Sequence, residues 1–95
     1  MSATTFQVAK FRLGKLVATS NAIEHLSQQD ILTGLSRHMA GEWGDVDMDD
    51  HEENELSLQQ GFRLFSVYHA KNGVKFWIIT EADRSITTVL LPEDY

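Results

Sequence analysis

From Phe62 to Leu91 the chain reads with a period of two, and this stretch limits the possible folds more than any other. Phe62, Leu64, Ser66 and Tyr68 alternate with Arg63, Phe65, Val67 and His69. Lys71-Asn72-Gly73 then supplies the Asn-Gly of a tight hairpin, and a return strand runs from Val74 to Thr80. Val74, Phe76, Ile78 and Thr80 share one face of it, with Lys75, Trp77 and Ile79 opposite. Both faces are largely apolar, as a central strand requires. Glu81-Ala82-Asp83-Arg84-Ser85 reads as a polar turn in which Arg84 pairs with its acidic neighbours, and a last strand covers Ile86 to Leu91 before Pro92 stops it.

The N-terminal half changes period. Residues 1–5 are small and polar and are expected to fray, and a half-buried strand is expected over roughly 8–18, with Gly14 marking a bulge or a close backbone approach. Ser20 or Asn21 can cap a short helical turn carrying Ala22, Ile23 and Leu26. Ser27, with Asp30 three residues on, opens a helix over about 28–40 whose apolar residues are Ile31, Leu32, Leu35 and Met39, with Gly41 beyond its end. Gly34 costs that helix ~1 kcal/mol relative to Ala and is best tolerated where another element packs closely. Asp47 or Asp49 caps a third helix running to about Gln60, with Gly61 as its stop and Met48, Leu56 and Leu58 as its apolar anchors.

The order is β-α-α-α-β-β-β. It predicts an α+β fold in which an antiparallel sheet, made of the N-terminal strand and the C-terminal meander, is covered on one face by two or three helices. Ninety-five residues support one domain, residues 1–95, with a single core. At 42% hydrophobic residues the chain is too apolar to be wholly disordered. No apolar run approaches the ~20 residues of a membrane span and no secretory leader is evident, so a cytoplasmic, non-membrane protein is expected. With no cysteine, thiolate zinc sites, iron–sulfur clusters and cysteine nucleophiles are excluded, and no cofactor is implied.

The net charge of −6 is segregated. Eight of the fourteen acids lie between Glu42 and Glu55 with no Lys or Arg among them, leaving six acids against eight bases elsewhere. Such a cluster repels nucleic acid and attracts a metal ion or a basic protein surface. Asp45, Asp47 and Asp49 alternate like the opening of an EF-hand loop, but Asp50 stands where the sharp turn needs glycine and Leu56 where a bidentate glutamate belongs. His51-Glu52-Glu53-Asn54-Glu55 lacks the second histidine of the zinc-protease helix motif. His25, His38 and His69 have no metal-ligand spacing and read as surface or half-buried residues. Asp83, Arg84 and Glu93 near strand ends are the candidate site for a small enzyme, although no nucleophile elbow or phosphate loop accompanies them. Lys10, Arg12, Lys15, Lys71 and Lys75, interleaved with Phe11, Phe76 and Trp77, would suit a single-stranded nucleic acid if the sheet gathered them. A pI near 5.0 has the wrong sign for such binding. Trp43, between Gly41 and Gly44, is either a plug over the core or an exposed anchor for a partner.

Four stretches, Leu13 to Thr19, Gly41 to Asp45, Phe76 to Ser85 and Thr87 to Tyr95, resemble a family of small single-domain bacterial proteins labelled plasmid-related and met on plasmids, phages and other mobile elements. The resemblance implies an accessory gene of mobile DNA and carries no site residues. In that context the acidic segment points to a non-enzymatic inhibitor of a host nucleic-acid-targeting defence complex, of anti-CRISPR or anti-restriction type. Trp43, Asp45, Asp47, Asp49, Asp50, Glu52 and Glu53 would meet a basic surface of the host protein, without direct contact to nucleic acid or membrane. The alternatives are a metal-responsive or regulatory module at Asp45/Asp47/Asp49 and an enzyme at Asp83/Arg84/Glu93. The apolar sheet face, with Phe65, Val67, Trp77 and Ile79, leaves both monomer and homodimer open.

Overall fold

A computed structural model describes residues 8–95. The element order is β1 (Lys15–Ala18), α1 (Ser20–His25), α2 (Gln28–Met39), α3 (Met48–Gln60), β2 (Leu64–His69), β3 (Lys75–Thr80) and β4 (Ile86–Leu90), followed by a single 3₁₀ turn at Pro92–Asp94. This is an α+β fold with a four-stranded sheet in the order β1-β4-β3-β2. The meander is antiparallel, with Leu64 opposite Thr80 and Trp77 opposite Leu90. β1 lies at the edge, as expected, but runs parallel to β4, with Lys15 opposite Ile86 and Ala18 opposite Val89. The sheet is therefore mixed, where a wholly antiparallel one was expected. Three helices separate β1 from β2, and so long an excursion leaves strand direction to packing. The reading of residues 1–5 as frayed lies outside the described residues.

β1 is also shorter than its alternation predicts. Gly14 has φ +66°, and a Cβ there would stand 2.4 Å from the Arg84 carbonyl oxygen, so the chain bends where only glycine fits. Before that bend Phe11 leaves the sheet to stack on Trp43, with ring centroids 6.2 Å apart, and to meet His38 edge-on at 5.2 Å.

Caps fix the helices. Thr19, rather than Ser20 or Asn21, caps α1 by accepting from Ala22 N–H, and its hydroxyl donates to Asp94 at 2.6 Å. Ser27 accepts from Asp30 N–H at 3.0 Å to open α2. Asp47 accepts from Asp50 N–H at 2.8 Å to open α3, which ends at Gly61 in the left-handed conformation. The core forms where α1 and α2 cover one sheet face: Ala22, Leu26 and Leu35 pack with Tyr68, Phe76, Ile78, Val89 and Leu91. Gly34 sits directly on the Phe76 ring, which is the close packing its mid-helix position called for.

α3 departs from expectation. Met48 is 71% exposed and Leu56 48%, so neither anchors the helix. Its buried residues are Asn54 and Ser57. Asn54 donates to the Phe65 carbonyl at 2.7 Å and accepts from Phe65 N–H at 2.9 Å, acting as a one-residue substitute for a neighbouring strand along the free side of β2. Val67 is covered likewise: its N–H donates to the Trp43 carbonyl at 3.0 Å and its carbonyl accepts from Asp45 N–H at 2.8 Å. Two links of side chain and loop thus close an edge that would otherwise invite another strand.

His38, expected at or near the surface, is fully buried. Its Nδ1 meets Ser66 Oγ at 2.5 Å and its Nε2 meets Thr80 Oγ1 at 2.8 Å. Thr80 and Thr87 hydroxyls are 2.7 Å apart, and Thr87 donates to the Leu13 carbonyl at 2.7 Å. A hydroxyl has one proton, so Thr87 sets the direction back to the ring: Thr80 donates to Thr87 and Nε2–H donates to Thr80. In the neutral imidazole Nδ1 then accepts from Ser66. Burial, with a smaller push from Arg84, lowers the His38 pKa to about 3.

Candidate functional site

Helical periodicity builds the strongest surface feature. Asp49, Glu52, Glu53 and Leu56 recur at spacings of three and four along α3, so they share a face, and they line a shallow concavity of about 410 Å³. All four side chains are exposed. Among the described residues the ion pairs are Arg63–Glu81 and His69–Asp45, and none reaches Asp49, Asp50, Glu52 or Glu53. Asp50 beside them has its carboxyl raised, first by partial desolvation and then by the charges of Asp47, Asp49 and Glu53. The helix N-terminus offsets part of that repulsion. The result is an anionic ridge that the protein's own lysines and arginines leave open.

The other acids of the run have different work. Asp47 is the α3 cap. Asp45 turns toward β2, where its carboxylate meets His69 Nδ1 at 2.8 Å. Glu55 accepts the Trp43 indole N–H at 2.8 Å. Trp43 itself is only 2% exposed, so of its two readings the structure selects the plug: the indole cannot serve as an exposed anchor. Its turn is fastened by Tyr68, whose hydroxyl donates to the Glu42 carbonyl at 2.5 Å, and by Gly44, where a Cβ would stand 2.0 Å from the Val67 carbonyl oxygen.

The two alternatives lose their geometry. Asp45, Asp47 and Asp49 do not converge, and among the described residues no three His, Cys, Asp or Glu side chains are placed to hold one metal ion. At the proposed enzyme corner, Asp83 accepts from the Ser85 N–H and hydroxyl. Arg84 makes no ion pair; its guanidinium donates to the carbonyls of Phe62, Glu81, Ala82 and Ser57, tying the β3–β4 turn to the end of α3. Glu93 lies beyond the far end of β4, about 16 Å of strand away. Nor is Ser66–His38 a nucleophile and base, because both are sealed from solvent and from any substrate.

The basic-aromatic stripe is likewise dispersed. Phe76 is in the core, Phe11 stacks on Trp43, and Lys15 and Lys75 stand at opposite ends of the sheet. No described helix is long and apolar enough to cross a membrane. Sequence reading missed the structural duties of Asn54, Glu55 and Arg84, since each depends on a backbone group or ring delivered from a distant segment. Comparison with protein-family models, with curated proteins and with solved structures finds no match for this chain.

Proposed function

We propose that this chain is a non-enzymatic binding protein whose α3 ridge occupies a basic, nucleic-acid-handling surface of a host protein. The carrying observation is the grouping of exposed Asp49, Glu52 and Glu53 on one helix face, with no ion pair to any of them among the described residues. A channel lined with lysine and arginine attracts such a ridge over a distance of about 10 Å at ordinary salt, giving fast, salt-sensitive association. The resemblance to plasmid-related proteins of mobile elements supports a defence complex, of CRISPR or restriction type, as the target, and a cytoplasmic setting. Direct nucleic-acid binding forms no part of this reading, because the ridge repels phosphate.

The test is protection of phage. Bacteria carrying a CRISPR or restriction system and expressing the protein should admit phage more efficiently than control cells. A variant with Asp49, Asp50, Glu52 and Glu53 changed to lysine should not, while its circular dichroism spectrum stays that of the parent. Asp47 is kept so that the cap survives. Equal protection by parent and variant sinks the proposal, as does absence of protection against a panel of such systems.

A further inference from the structure

The sheet face turned away from α1 and α2 carries a second surface that the acidic ridge does not explain. Strand alternation sends Leu64, Ser66, Phe76 and Ile78 toward the helices and Phe65, Trp77 and Ile79 the other way. Arg63 precedes β2, and Tyr95 follows the 3₁₀ turn. Together these five side chains line an apolar groove of about 300 Å³. The aromatic rings brace one another: Trp77 meets Phe65 edge-on at 5.1 Å and Tyr95 at 5.8 Å. The groove is therefore preformed on the most regular part of the molecule.

Arg63 gives this groove its chemistry. Its guanidinium has five N–H donors. Nε and Nη2 donate to the two Glu81 oxygens at 3.2 and 3.5 Å, and Nη1 donates to the Tyr95 hydroxyl at 3.1 Å. These bonds fix the guanidinium plane from one side and hold its pKa high. Among the described residues, one N–H on each terminal nitrogen has no partner, and the side chain is 53% exposed. Nη1 and Nη2 lie side by side along the outer edge of the guanidinium, the edge that can receive a carboxylate. An apolar trough that ends in such an edge is complementary to a flat hydrophobic body bearing one carboxylate.

We propose that this groove binds a small aromatic carboxylate, its ring between Phe65, Trp77 and Tyr95 and its acid group on Arg63. The volume is at the lower limit for small-molecule sites. A second copy of the chain fits less well. The face is only four strands wide, each four to six residues long. Val67, Ile79 and Leu90 of that face are already buried within the monomer, so little of it is left for a partner copy to cover.

The test uses 2-naphthoate as probe, with 2-naphthalenemethanol as its neutral twin, against the full chain labelled with ¹⁵N. The Trp77 indole N–H is the reporter, and the Trp43 indole N–H, held by Glu55, is the internal control. Naphthoate should shift Trp77 alone and saturate at about 1 mM, the affinity expected of about thirteen ligand atoms in a shallow site. Arg63→Gln should weaken naphthoate about tenfold and leave the alcohol unchanged. The proposal fails if Trp77 is unmoved at ~10 mM naphthoate. It fails equally if acid and alcohol bind the parent alike, a comparison that needs no variant. A Trp77 shift that grows with protein concentration alone and is untouched by naphthoate would assign the face to a dimer instead.

Discussion

The Trp43 indole N–H donates to Glu55 across 2.8 Å, joining the turn after α2 to the flank of α3. One carboxylate of the acidic run is thereby structural, although its neighbours two and three residues earlier face solvent. Glu55→Ala should destabilise the protein by about 1–2 kcal/mol, the loss of a hydrogen bond to a charged group and of support for a buried ring. Glu53→Ala should stay within about 0.5 kcal/mol. Urea unfolding of both variants checks the contrast; equal losses would mean that the indole bond contributes nothing specific.

Asn54 should be among the most sensitive polar positions. Its amide satisfies both backbone groups of Phe65, and alanine leaves a donor and an acceptor on β2 facing a gap. The expected cost is about 2 kcal/mol, together with faster aggregation as the strand edge opens. Thermal melts with light scattering measure both, with Gln59→Ala, on the exposed side of the same helix, as the control.

At Gly34, helix propensity and packing oppose each other. Alanine would gain ~1 kcal/mol in an open helix. Here its Cβ would stand 2.9 Å from Phe76 Cε2, and Phe76 is too deeply buried to yield. Overpacking of this kind costs about 1–3 kcal/mol, so Gly34→Ala should be net destabilising by roughly 1 kcal/mol. A more stable variant would show that the ring moves freely.

His38 predicts acid sensitivity. Its folded pKa, about 3, is below the unfolded 6.5, so beneath pH 6.5 the unfolded chain takes up a proton that the folded chain refuses. Stability should fall as pH drops from 6.5 toward 3, by up to about 1.4 kcal/mol per pH unit from this group. Asp50, with its raised carboxyl, acts with the opposite sign in the carboxylate range, which leaves pH 6.5 to 5 as the clean window. Urea midpoints at pH 7, 6 and 5 should decline for the parent and less steeply for His38→Gln. Parallel profiles would remove His38 as the cause.

Local signals in the chain were sufficient for the local structure. Ser27 with Asp30, Asp47 with Asp50, Gly61, and the Asn72-Gly73 turn each act through groups within a few residues, so the boundaries of α2 and α3 and the β2–β3 hairpin could be read directly. The grouping of Asp49, Glu52 and Glu53 follows from helical spacing alone.

Tertiary structure decided what those signals do not encode. Periodicity reports which residues are apolar, whereas strand direction depends on where a distant strand happens to lie, so β1 beside β4 came out parallel. Burial of a polar side chain is favourable only when a remote partner satisfies it: Ser66 and Thr80 for His38, Phe65 for Asn54, the Phe62 and Ser57 carbonyls for Arg84. Such partners are set by the fold and not by the neighbouring sequence. The same dependence hid the Arg63 groove, whose five lining residues come from three separate parts of the chain and become neighbours only when the sheet is formed.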